Sequence, residues 1–260
     1  VMGKSAGLMW LLSPAAAAAL ALPSGSIDTL PDTEKDYLRE ASRRSYKYFS
    51  TFFTPEDNFL PPDNFQEQPP VGLAHRTSPT NISLALCSAV SGCDMGFLSP
   101  ADTAESVERI IETLEKMPRC KGHFYNWYNT RTLTPLTPAF ISTVDSGNLY
   151  AGLVVAKEAM LEANELSLAM RIAAIMEKMD FSFLFDRERR LFHICYDTVK
   201  EQGTGGWYDL MASEAMLTSY IAIAKGDVPV KHWRRLSRAQ LQKDGYRGLA
   251  SWTGTMFEYL

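Results

Sequence analysis

This chain of 260 residues has no paired cysteine motif, no basic block and no glycine-rich phosphate loop. Its four cysteines, Cys87, Cys93, Cys120 and Cys195, form no CxxC pair, and its four histidines, His75, His123, His193 and His232, are scattered. A zinc site needs such ligands at short spacing, so no metal is expected, and nothing implies a cofactor. The thiols read as reduced and mostly buried, as in a cytosolic protein. Twenty-six lysines and arginines stand against 30 acidic residues, a formal net charge of −4. With no clustered positive stretch, nucleic acid is not an expected partner. The missing βαβ alternation and phosphate loop exclude the dinucleotide-binding and P-loop folds. What is present is 46% hydrophobic and 11% aromatic. That supports a sizeable core in one large domain or two small ones.

One uncharged run stands out. Residues 6–22, AGLMWLLSPAAAAALAL, approach the lower limit of about 17–25 residues for a membrane span. The run reads as a signal-peptide core, as the last membrane helix of a longer protein, or as a buried helix of a soluble one. The chain opens on Val1, and the second reading is preferred. The expected organisation is a hydrophobic, membrane-associated segment and linker over residues 1–26, then a domain over 27–260.

Periodicity predicts an amphipathic helix over 33–53, with Arg39, Arg43, Arg44 and Lys47 on its outer face. Residues 55–78 are rich in Pro, Asn, Asp and Gln and predict a long, ordered loop. Ser78-Pro79 and Ser99-Pro100 each combine a hydroxyl cap with proline at the first helical position. They predict helices to about Cys93 and through Lys116. Residues 119–144 alternate as a hairpin does. Helices follow over 146–163 and 167–179, a second hairpin over 181–197, and an apolar helix over 211–224 after Ser/Gly/Tyr-rich loops. The economical architecture is mainly α: antiparallel helix pairs with hairpins at one end.

The stretch from Gly122 to Asn148, GHFYNWYNTRTLTPLTPAFISTVDSGN, carries five aromatic rings, several amides and hydroxyls, and one carboxylate, Asp145. Flat rings with hydrogen-bonding groups between them suit a sugar, whose C–H faces stack and whose edge carries hydroxyls. Aromatics also dominate interiors, so the same stretch reads as core. Similar clusters recur elsewhere. Trp127, Tyr128, Trp207, Tyr208 and Trp252 are candidate stacking platforms. Asp63, Glu67, Asp145, Asp209, Glu214 and Glu258 sit among aromatics, amides or small residues, neighbours that raise a carboxyl pKa as acid catalysis requires. Each has a plainer reading: Asp145 and Asp209 as helix caps, Glu214 as a first-turn acid, Glu258 as an ordinary helix residue. Arg76, beside His75, either orders its loop or contacts ligand, and His123 reads as a structural histidine. Glycoside hydrolysis needs two carboxylates, about 5–5.5 Å apart for retention and about 6.5–9.5 Å for inversion.

Taken together, LPPDNFQEQPPVGLAHRTSPTN, GHFYNWYNTRTLTPL, STVDSGN, DFSFLFD, YDLMASEAML, AIAKGDVPVKHW and SWTGTMFEYL resemble the glucoamylase-like central domain of cyclic β-1,2-glucan synthases. The resemblance covers about residues 33–260. It implies an (α/α)6 toroid, here incomplete, in a bacterial, inner-membrane-associated synthase with the domain on the cytoplasmic side. It implies a β-1,2-glucan substrate and the other domains of the synthase as partners, with membrane contact through residues 6–22. The implied activity is ring closure by transglycosylation. Glu214 in ASEA is similar to a catalytic glutamate whose partner lies in a later SES-type motif. With the chain ending at Leu260, that partner and the closing helices are expected to be absent, and the fragment inactive alone. Gln66, Arg76, Asp145, Asn148, Tyr208 and Trp252 match positions that the resemblance places along the sugar cleft. Asn126, Trp127, Tyr128, Asp209 and Glu258 complete the expected substrate-binding set. One departure is Asn129, where the family commonly carries Asp. Simple hydrolysis and non-catalytic glucan binding are the competing readings.

Overall fold

The computed structural model describes residues 30–259 and Ser13. The run over 6–22 thus lies, Ser13 apart, outside the described residues, among which no helix is long and apolar enough to cross a membrane. The chain divides into two compact units, Val1–Arg43 and Arg44–Leu260. In the first unit the described backbone opens helix α1 (Asp32–Phe52), where Tyr37 and Leu38 are exposed.

The larger unit holds helices α2 (Pro79–Asp94), α3 (Pro100–Lys116), α4 (Thr143–Glu162), α5 (Leu166–Glu177) and α6 (Met216–Lys225). The Ser-Pro starts form as expected. Ser78 Oγ accepts from the Asn81 amide at 3.2 Å, and Ser99 and Asp102 close a reciprocal capping box on α3. Each cap satisfies amides that the first turn otherwise leaves unpaired. The packed pairs are α2 with α3, α4 with α5, α2 with α4, and α4 with α6. Leu86, Ile110, Ile111, Leu114, Leu149, Leu153 and Ile172 meet in their core with next to no exposure. Each such side chain contributes about 1.5–3 kcal/mol on leaving water. Arg171 on α5 spans Glu108 and Glu115 of α3 at 3.0 and 2.8 Å.

A four-stranded antiparallel sheet carries a second core: β1 (Phe140–Ser142), β2 (Phe185–Asp186), β3 (Leu191–Asp197) and β4 (Gln202–Tyr208). Both β1 and β4 pair with β3, and β2 closes the expected 181–197 hairpin by pairing with its start. Strand β4 replaces the expected loop. The hairpin expected over 119–144 does not form as one unit. Arg119–Cys120 pairs with His123–Phe124, Tyr128–Asn129 pairs with Arg76–Thr77, and β1 pairs with β3. Alternation marked strand-like segments correctly, but only the first pairs locally; the partners of the other two come from distant sequence. The 211–224 helix starts later, at Met216, because the segment before it is tied elsewhere: the Met211 amide donates to Ser237 O at 2.9 Å. The four free thiols are partly buried, less enclosed than expected.

Close helix approach fixes the spacing. A Cβ at Gly147 would lie 2.0 Å from Thr218 Oγ1 and 2.8 Å from its Cα, and one at Gly152 would lie 2.4 Å from Ser83 Oγ. Helix α4 is therefore pressed against α2 on one side and α6 on the other. Two hydroxyls tie these contacts: Ser83 Oγ donates to Asn148 O at 2.6 Å, and Thr218 Oγ1 to Thr143 O at 3.0 Å. We expect Gly147→Ala to force α4 and α6 apart at a cost of about 1–3 kcal/mol. Thermal unfolding followed by circular dichroism should show a melting temperature several degrees lower; an unchanged midpoint would contradict this packing.

Candidate active site

The ties just described lie within the first two turns of α2, α4 and α6, so the side chains around those turns share one end of the helix row. The helix expected from Ser146 begins instead at Thr143. Ser142 is its cap, its Oγ accepting from the Asp145 amide at 3.1 Å. Asp145 is therefore not the cap but lies inside the first turn, which frees its carboxylate. Thr80 Oγ1 on α2 donates to Asp145 Oδ1 at 2.6 Å, and Asn148 Nδ2 donates to Thr80 Oγ1 at 3.1 Å. Burial raises the Asp145 pKa above the ordinary value, against the pull of hydrogen bonds from Thr80 and Ser142.

Glu214 stands just before α6, not in its first turn, and is exposed. It lines a small cleft with Asn148, Ser213, Met216, Leu217 and Phe257. Beside it, Tyr208 at the end of β4 is buried and stacks on Trp252, ring centroids 5.3 Å apart and planes at 15°. Burial, then the negative charges of Glu214 and Asp145, push the Tyr208 hydroxyl well above its usual range. Both carboxylates thus act on one phenol. Trp252 Nε1 donates to Asp209 Oδ1 at 3.2 Å, holding the indole over Tyr208. Trp252 is 45% exposed, so its outer face is open.

Arg76 clasps Asp63 Oδ2 through Nε at 3.1 Å and Nη2 at 2.8 Å, and its guanidinium lies 5.0 Å from the Trp127 ring centre. Asp63 also accepts from Asn64 and Asn81, and Asn81 belongs to α2 beside Thr80. Arg76 thereby orders its own loop next to the helix ends. His75 shares its ring nitrogens between buried Asp57 at 2.8 Å and Arg131 at 3.0 Å, and Thr130 Oγ1 bonds the same Asp57 oxygen.

Several expected binding residues have polar groups engaged within the fold. Tyr128 is fully buried, with its hydroxyl donating to Pro118 O at 2.6 Å and accepting from the Tyr125 amide at 2.8 Å, so it offers no stacking face. Asn126 is buried and its Oδ1 accepts from the Phe140 amide at 3.2 Å. Gln66 braces its own turn through Pro69 O at 3.1 Å. Both Glu258 oxygens are taken up by the loop from Trp252 to Thr255. His123 is buried, bonded to Asp180 O at 3.0 Å, and burial pushes its pKa down to about 4. Asn129 Oδ1 accepts from the Arg131 and Thr132 amides at 2.9 and 3.0 Å, a turn-holding role that an Asp oxygen fills equally well.

Sequence reasoning missed Thr80, Ser142 and Phe257. Thr80 follows the Ser-Pro start directly, and its place one residue into α2 was the available signal. Removing the Thr80 hydroxyl with Thr80→Val takes away a donor that favours the ionised form of Asp145. The Asp145 pKa should rise further, read by carboxyl NMR titration, with a stability loss of about 1–3 kcal/mol for the unpaired group. An unmoved pKa would show that the bond is unimportant.

No family model matches the chain. The resemblance read from the motifs holds: the chain is similar to the cyclic β-(1,2)-glucan synthase NdvB of Rhizobium meliloti (strain 1021), 30% identical over a 388-residue alignment that takes in all of this chain. That alignment is longer than the chain, so it carries gaps on this side, more than the motifs suggested. The chain spans 14% of that protein. Among solved structures it is similar to a candidate glucoamylase of Bacteroides fragilis NCTC 9343, with TM-score 0.70 and 20% identity, covering 89% of this chain and 58% of that one. It is also similar to an endo-β-1,2-glucanase of Chitinophaga pinensis, solved with sophorotriose and glucose, with TM-score 0.66 and 16% identity, covering 82% and 55%. The helix-rich glucoamylase-like fold is thus shared with both.

Proposed function

We propose that this chain is the β-1,2-glucan-active part of a cyclic β-1,2-glucan synthase, and that it belongs to an (α/α)6 toroid in which the row α2, α4, α6 lines the sugar cleft. The observation that carries the reading is the exposed Glu214 carboxylate, in a cleft with Asn148 and Phe257 beside the Tyr208–Trp252 stack. A carboxylate flanked by aromatic planes suits a neutral pyranose, which offers faces to stack on and a ring oxygen and glycosidic oxygen to act on.

In this reading Glu214 is one member of a carboxylate pair. One member protonates the leaving glycosidic oxygen as the bond to the anomeric carbon breaks, and the other bonds to that carbon. A glucan hydroxyl then attacks, losing its proton to the first carboxylate and restoring the second. When the attacking hydroxyl belongs to the far end of the same glucan, the product is a ring. Asp145, Asn148, Arg76, Trp127, Asp209 and Trp252 serve the cleft by binding glucan or holding its walls. The rest of the synthase and a cytoplasmic-side membrane contact through residues 6–22 complete the proposed setting.

Hydrolysis is the second reading, favoured by the likeness to the endo-β-1,2-glucanase. It differs only in the attacking group, water in place of a glucan hydroxyl. In the full-length protein, Glu214→Gln should lower ring formation at least 100-fold, in line with general acid–base catalysis. Product analysis reads both questions at once. Cyclic products lost in the variant support the proposal, linear oligosaccharides from the parent support hydrolysis, and undiminished rings from the variant would remove Glu214 from the mechanism.

A further inference from the structure

The segment after the β5 (Gln240–Lys243) and β6 (Tyr246–Leu249) hairpin folds around one side chain. Glu258 is 4% exposed. Its Oε1 accepts from the Trp252 amide at 2.9 Å and the Thr253 amide at 3.2 Å. Its Oε2 accepts from the Thr253 amide at 3.0 Å, Thr253 Oγ1 at 2.8 Å and the Thr255 amide at 3.1 Å. A carboxylate that gathers several donors in one short loop fixes that loop more firmly than neutral contacts do, because charge-assisted bonds are stronger. Around that carboxylate the loop has the Gly254 amide on Ser251 Oγ at 3.0 Å, the Tyr259 hydroxyl on Leu249 O at 2.8 Å and the Trp252 indole on Asp209. Phe257 and Met256 are 59% and 71% exposed.

This loop carries one aromatic at the cleft and one on the Tyr208 ring beside it. Trp252 lies flat on Tyr208, and Phe257 borders the cleft of Glu214. Each is tied to the loop by its own backbone, Trp252 through the amide that donates to Glu258 and Phe257 as the residue before it. Resting on the proposed function, we infer that Glu258 is a positioning residue: its carboxylate sets Trp252 and Phe257 as two apolar walls of the glucan cleft and itself touches no sugar. Burial works against the ionised form, but bonds from Thr253, Thr255 and Trp252 outweigh it and hold the pKa at about 2, below the ordinary 4.5. A group depressed in this way supports the loop fully above about pH 4.5 and loses that support as pH falls toward 2.

Preordered walls bind more tightly than walls ordered at the moment of binding. Glu258→Gln keeps the shape, removes the charge and puts a donor where acceptors are needed. Two readouts on the intact chain separate the loop from the sugar: acrylamide quenching of tryptophan fluorescence, and calorimetric affinity for linear β-1,2-glucan. We expect Glu258→Gln to raise quenching, an increase absent when Trp252→Ala is already present. Glucan affinity should weaken roughly tenfold. In a Trp252→Ala, Phe257→Ala background the same substitution should cost nothing more. Thr253→Val, which deletes one donor to the carboxylate, should give the same changes in smaller measure and serves if Glu258→Gln fails to fold. Unchanged quenching in both variants overturns the inference. So does a further loss of affinity in the double-aromatic background, since Glu258 would then act on glucan directly. If the parent chain binds no glucan, the proposed function falls, while the quenching comparison still decides what Glu258 does to Trp252.

Discussion

Two glycines on α4 set how near three helices come, and the candidate site depends on that nearness. At Gly147 and Gly152 even one added carbon would overlap Thr218 and Ser83. The contact leaves room only for short hydroxyl side chains, which turn their oxygens onto backbone carbonyls. Close approach of this kind gains dispersion along the whole contact and depends on the small size of every residue in it. It also brings Thr80 within 2.6 Å of Asp145, a bond between helices that a wider spacing would break.

From that spacing the electrostatics follow. The first turns of helices carry unpaired amides and a partial positive charge, which favour carboxylates. Asp145 lies in such a turn, and Glu214 directly precedes another. The two differ in surroundings. Asp145 is enclosed and bonded to hydroxyls, with its pKa raised by burial, while Glu214 is open to the cleft. Tyr208 stands within the field of both, buried and held protonated. Its ring is the floor on which Trp252 rests, beside the cleft.

Much of the helical framework was legible beforehand. The Ser-Pro starts, the amphipathic periods and the turn residues are local signals, and they located α1 to α5 to within a few residues. Pairing was not legible. Tyr128–Asn129 and Phe140–Ser142 look like neighbours in one hairpin, yet their partners come from before α2 and from β3. The same limit governs the site. Glu214, Asp145, Asn148 and Trp252 were nameable from their neighbours and the family resemblance. Whether an aromatic faces a cleft or a core depends on packing across the whole chain, which is why Tyr128 and Asn126 turned out to be interior supports. Glu258 was singled out for neighbours expected to raise its pKa; the folded loop corrects this, because backbone amides and the Thr253 hydroxyl directed at its oxygens lower it instead.

The central claim is that the meeting ends of α2, α4 and α6 form a cleft for a neutral glucan. NMR titration of the isotope-labelled chain with linear β-1,2-glucan tests it most directly. The account predicts saturable shifts at the Thr80 and Glu214 amides, the Asn148 side-chain amide and the Trp252 indole N–H, with little change along α3 and α5. Saturating shifts confined to another face of the molecule would contradict it, as would a spectrum that glucan leaves unaltered.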